Sequence, residues 1–209
     1  MEGLRKVALI GPEAQSDLPK LQDARFTAAL AALQNGDVET ARREATSLVD
    51  EGYDHAYTLL GRTYEKRAPG DAPADTSKAL FYYLMGVDTA GAVESWLGLA
   101  RLFYLGIGVE QDRRKAFAYY STVVEESENG LAHLMIGKMY LDGDGVEQNL
   151  ALAEKHLMIA REKHYVFAYS YLGTVCFRRK QYLQGVWNRL QAAFKTFKRL
   201  SPASRTRRI

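Results

Sequence analysis

The feature that most restricts how this chain can fold is a repeat of about 37 residues. Leu60-Gly61-Arg62-Thr63-Tyr64 aligns with Leu99-Ala100-Arg101-Leu102-Phe103, Ile136-Gly137-Lys138-Met139-Tyr140 and Leu172-Gly173-Thr174-Val175-Cys176, the tiny residues standing 39, 37 and 36 positions apart. A second marker, Gly106-Ile107-Gly108-Val109, recurs 37 residues later as Gly143-Asp144-Gly145-Val146. A third is a small residue early in each following segment: Ala79, Ala116 and Ala153, with bulky companions at Tyr82-Tyr83, Tyr119-Tyr120 and His156-Leu157. Three markers in one register describe a unit that recurs and stacks, and such a unit cannot bury its apolar face alone.

The units read as helix pairs. In 92–105, Val93, Trp96, Leu97, Ala100, Phe103 and Tyr104 recur at three- and four-residue steps, an apolar stripe of helical period. The tiny residue lets the two helices of a unit approach closely. The Gly-x-Gly-Val loops end the first helix, because glycine takes left-handed backbone at little cost. Asp112 and Asn149 stand where the next helix needs an N-cap. Units are expected at roughly 20–50, 53–90, 92–129, 131–164 and 165–198, giving ten main helices and no sheet. Residues 1–17 read as a flexible lead-in, 18–198 as one solenoid domain and 199–209 as a basic tail. Ala68–Ala74 carries two prolines and a glycine and reads as an enlarged loop.

The pattern Leu-Gly-x-x-Tyr, Gly-x-Gly-Val, Asp or Asn, then Ala with aromatics resembles the Sel-one-like subclass of tetratricopeptide repeats, over about residues 55–164. Residues 20–50 and 165–198 are more similar to ordinary tetratricopeptide repeats. The resemblance implies an all-α, right-handed superhelix of about five helix-turn-helix repeats. It also implies a non-enzymatic scaffold or adaptor of bacterial type that binds a protein segment in its concave groove. A secretion-type chaperone using the same groove is the alternative. By the same resemblance, first helices line the groove, and the residue after each tiny position projects into it: Arg62, Arg101, Lys138 and Thr174, with Leu30 in the first unit. His55, Thr58, Leu97, Tyr104, Leu134, Tyr171 and Phe177 are the neighbouring candidates for apolar contact. A ladder of Arg62, Arg101 and Lys138 suits an acidic or carboxylate-bearing segment, since guanidinium binds carboxylate bidentately.

Charge divides unevenly. Lys163–Ile209 holds 11 basic residues and no acid, among them Arg178, Arg179, Lys180, Arg189, Lys195, Lys198 and Arg199; residues 1–162 hold 17 basic and 25 acidic residues. The division reads as a charged cap on the exposed end of the solenoid, or as an association surface for the acidic body of a second copy in a two-fold dimer or for an external acidic partner. Nucleic-acid association through this tail is a further alternative. Against it, the tail lacks the Gly/aromatic interleaving of single-strand binders and carries no recognition-helix motif.

Other chemistry is not signalled. A single cysteine, Cys176, allows no internal disulfide, fits a reducing compartment and is expected to be a buried small hydrophobe. His55, His133, His156 and His164 show no four-residue pairing for a metal, and Asp142-Gly143-Asp144-Gly145 lacks the later ligands of a calcium loop. No nucleotide-binding or nucleophile motif occurs, so no cofactor and no catalytic site are expected. Val7–Ile10 is too short for a signal peptide, and no stretch approaches the ~20 apolar residues of a membrane span. A cytoplasmic location is the expectation.

Overall fold

The computed structural model describes residues 12–66 and 75–200, without the side chains of 12–20 and 198–200. These residues form ten helices and no strand: α1 Pro12–Gln34, α2 Val38–Asp50, α3 Ala56–Glu65, α4 Thr76–Ala90, α5 Val93–Leu105, α6 Arg113–Glu126, α7 Gly130–Asp142, α8 Leu150–Glu162, α9 Val166–Arg178 and α10 Tyr182–Leu200. α1 begins inside the segment expected as a lead-in, so only 1–11 of that segment remain, outside the described residues. The enlarged loop over 68–74 also lies outside them, as does the tail beyond Leu200. Contacts divide the chain into two compact units, 1–111 and 112–209.

Within each unit every helix packs on the next, and first helices of successive pairs also touch: α1 on α3 and α3 on α5 in one unit, α7 on α9 in the other. The cores cross from pair to pair accordingly. Ala29 and Leu33 of α1, Ala41 and Ala45 of α2, and Leu59 and Leu60 of α3 share one cluster. Leu134 and Leu141 of α7, Ala153, Leu157 and Ala160 of α8, and Ala168, Leu172 and Val175 of α9 share the other. In both clusters a pair is completed by the first helix of the next, as the repeat logic requires.

The tiny positions work as expected. A Cβ on Gly61 would lie 2.7 Å from the Tyr83 ring of α4, one on Gly137 2.7 Å from Leu157 of α8, and one on Gly173 3.1 Å from the Gly185 carbonyl of α10. The second helices start on side-chain caps: Asp37 accepts from the Thr40 amide, Asp75 from Lys78, Asp112 from Lys115, and Asn149 from Ala151 and Leu152. Backbone donors hold the Asp37 and Asp112 carboxyls below the usual range; at Asp75 the Lys78 side chain leads. Gly106 and Gly143 end α5 and α7 at φ 70° and 72°, in the left-handed region. The shorter turns after α8 and α9 use His164 and Lys180 at φ 67° and 61°, positions where composition signals no helix end.

Candidate interaction groove and its surroundings

In the first unit, three first helices together line one groove of about 500 Å³. Phe26 and Leu30 come from α1, Thr58, Leu59 and Arg62 from α3, and Val93 and Glu94 from α5, with Tyr53, His55 and Ala92 from the connecting turns. Leu30, His55, Thr58 and Arg62, all named from the sequence, meet here. The lining is chiefly apolar and carries a few polar groups of both signs, the usual character of a recognition site. Tyr53, which belongs to no repeat marker, closes one side: its ring lies 5.7 Å from Phe26 and 5.6 Å from His55, and its hydroxyl donates to Asp23 at 2.5 Å. Burial, with the Asp23 carboxylate next, pushes that phenol up to about 12.

The ladder residues differ in how they are engaged. Arg62 is half-buried and makes no hydrogen bond or ion pair to a described residue. Arg101 is bound to the Glu65 carboxylate and lies 3.3 Å from the Tyr83 hydroxyl, which itself donates to Glu65 at 2.6 Å. Lys138 pairs with Asp142 on the same helix at 3.0 Å. The Thr174 hydroxyl donates to the Ser170 carbonyl at 3.3 Å. Arg62 and Arg101 belong to one compact unit, Lys138 and Thr174 to the other.

The neighbouring groove candidates are also engaged in packing. Thr58 is 6% exposed at the groove floor, its hydroxyl 2.5 Å from that of Ser95, a bond linking α3 to α5. Tyr104 and Leu134 are buried, and Tyr171 packs against the second unit's core. Phe177 lies under the Arg189 guanidinium, 4.7 Å from its carbon, and meets Tyr182 across the α9–α10 turn. Leu97 is half-buried on α5.

Two residues of the basic end pair with acids from earlier in the chain. Arg178 pairs with Asp142 of α7 at 3.7 Å, and Arg179 with Glu154 of α8. Arg113 meets Asp144 at 3.3 Å, so both acids of the calcium-like loop have cationic partners. Lys180 is exposed, the Lys195 ammonium donates to the Tyr169 hydroxyl, and the side chains of Lys198 and Arg199 lie outside the described residues. Cys176 is buried, a free thiol raised by that burial, with the Asn188 amide 3.6 Å from its sulfur.

One pair escapes sequence reasoning. His133 of α7 and His156 of α8 meet at 2.9 Å between their Nδ1 atoms, 23 residues apart, so a search at four-residue spacing cannot find them. His156 stands where the preceding repeats carry Tyr82 and Tyr119, and it stacks on Tyr140, 6.0 Å between centroids, much as Tyr82 stacks on Tyr64. No cluster of three or more metal-ligating side chains occurs among the described residues.

Burial, and then the His133 charge, pull His156 down to about 4; burial also lowers His133, with Glu128 acting the other way and Lys163 and Lys155 reinforcing. The unfolded chain therefore takes up these protons first. Stability from the pair is complete above the ordinary value of 6.5 and is lost as pH falls toward about 4. Thermal melts should show this decline in the native chain and a flatter profile for His156→Tyr; equal slopes would reject it.

A family model, the Sel1 repeat, matches residues 54–88, 95–122 and 130–163, close to three of the five units read from the sequence. Among solved structures, the chain is similar to a Sel1 repeat protein from Oxalobacter formigenes, with TM-score 0.66 and 18% identity over 90% of this chain and 74% of that one. It is also similar to a protective antigen present in uropathogenic Escherichia coli strains that displays an SLR fold, with TM-score 0.68 and 20% identity over 87% of this chain and 40% of that one. No curated protein matches the chain in sequence. No described helix is long and apolar enough to cross a membrane.

Proposed function

We propose that the chain, which carries three Sel1 repeats, acts as a protein-interaction scaffold and holds a partner segment in the first-helix groove of residues 26–94. The segment would set an apolar side chain among Phe26, Leu30, Leu59 and Val93 and a carboxylate on Arg62. The observation that carries this reading is the state of Arg62. It lies on an apolar groove built by three helices and has no ion-pair partner among the described residues, whereas Arg101 and Lys138 already have theirs. A desolvated guanidinium–carboxylate pair adds both energy and direction to apolar contact.

Selection from a displayed peptide library tests it. Enriched peptides should place an aliphatic or aromatic residue beside Asp, Glu or a free C-terminus. Arg62→Glu should weaken them on the order of tenfold to a hundredfold while leaving the melting temperature nearly unchanged. Arg101→Glu, by contrast, should lower the melting temperature, since it faces Glu65, whose side chain is only 12% exposed. Peptides without an acid, or bound equally by Arg62→Glu, would overturn the proposal.

A further inference from the structure

The last helix is amphipathic with its apolar side outward. The α10 residues turned toward α9 are small or polar: Gly185 and Asn188 are buried, Asn188 with its amide on the Cys176 sulfur, and Ala192 is half-buried. Its opposite side exposes Leu183 at 90%, Trp187 at 57%, Leu190 at 58%, Phe194 at 67% and Phe197 at 73%. Steps of four, three, four and three residues put these five on one stripe. Trp187, Leu190 and Phe194 surround a shallow hollow of about 420 Å³ with Lys195 at its rim. Arg189, Lys195, Lys198 and Arg199 share this helix, and no acid occurs anywhere in 163–209.

We propose that α10 docks on an anionic lipid surface, lying in its plane with Leu183, Trp187, Leu190, Phe194 and Phe197 in the headgroup–acyl boundary. Two observations choose this occupant. First, a lone ridge of Trp, Phe and Leu accompanied by Lys and Arg is the composition by which interfacial helices bind, apolar burial adding to attraction for anionic headgroups. Second, the segment that carries this ridge, 180–209, holds eight basic residues and no acid, so the same ends of two copies would meet as like charges. An anionic surface neutralises the same charges.

Flotation of the full chain with vesicles is the test. In low salt the chain should float with phosphatidylcholine mixed with phosphatidylserine. Binding should fall at least about tenfold with phosphatidylcholine alone or in high salt. Trp187 emission should shift to the blue on anionic vesicles, and Trp187→Phe, leaving Trp96, should abolish the shift. Leu190→Glu with Phe194→Glu, both exposed, should keep the helical spectrum and melting temperature but lose flotation. Absence of flotation in low salt, or flotation unaffected by that double variant, would overturn the proposal. So would a wild-type dimer that the double variant makes monomeric and that binds no vesicle, which would assign the face to a second copy.

Discussion

Replacing Tyr83 with alanine should destabilise the first unit by about 3–5 kcal/mol, the range for removing a fully buried aromatic. Tyr83 is wholly inaccessible and lies between two glycines on different helices: a Cβ on Gly61 of α3 would lie 2.7 Å from its ring, and one on Gly98 of α5 2.5 Å from it. One ring thus fills the space at which α3, α4 and α5 converge, and its loss leaves a cavity that rigid helix backbones close poorly. Burial raises the phenol above its ordinary value, so the hydroxyl remains a donor to Glu65. Tyr83→Phe keeps the ring and removes the hydroxyl's bond to Glu65 and its longer one from Arg101, so about 1–2 kcal/mol is expected. Gly61→Ala and Gly98→Ala should each be costly in the native background and much less so beside Tyr83→Ala, a coupling a double-mutant cycle would read. Additive losses would show that the ring is not the shared contact. Guanidinium unfolding followed by circular dichroism measures all of these.

What the sequence disclosed follows from how locally each signal is encoded. The helix pairs, the tiny contact positions and the Asp112 and Asn149 caps depend on residues within one unit, and a repeat prints them several times. Partnerships between units are less visible. Lys138 and Asp142 are four apart on one helix and could have been paired by the helical rule alone, but Arg101 and Glu65 are 36 apart, and only the repeat register brings them together. For the same reason a tally over 163–209 finds no acid, while Arg178 and Arg179 find Asp142 and Glu154 on earlier helices. The stripe on α10 is legible as helical period, yet period does not say which side faces the protein. That depends on α9, where the close approach at Gly173 and Gly185 seats the small side of α10 inward.

The second large effect is expected at the loop glycines that pack against the preceding repeat. Gly108 and Gly145 each hold the second place of a Gly-x-Gly-Val loop, at φ 68° and 77°. A Cβ on Gly108 would lie 1.8 Å from the Thr76 hydroxyl, and one on Gly145 2.4 Å from the Arg113 carbonyl oxygen. Thr76 and Arg113 are the first residues of α4 and α6, so each loop lies against the start of the preceding pair's second helix, 32 residues earlier. Glycine is therefore required twice, for its backbone angle and for the missing Cβ. Alanine at either place should cost roughly 2–4 kcal/mol: about 1 from left-handed backbone, the remainder from overpacking. Gly36 separates the two contributions, since at φ 90° it has nothing within 4 Å of a built Cβ, and Gly36→Ala should cost only the first. The two repeats should then respond differently to rescue. Thr76→Gly removes the side chain that Gly108→Ala strikes and should recover most of its overpacking cost. Gly145→Ala strikes backbone, which no substitution at Arg113 can withdraw. If Gly36→Ala, Gly108→Ala and Gly145→Ala prove equal in denaturant unfolding, backbone angle alone explains these glycines and the loops do not fix the spacing between repeats.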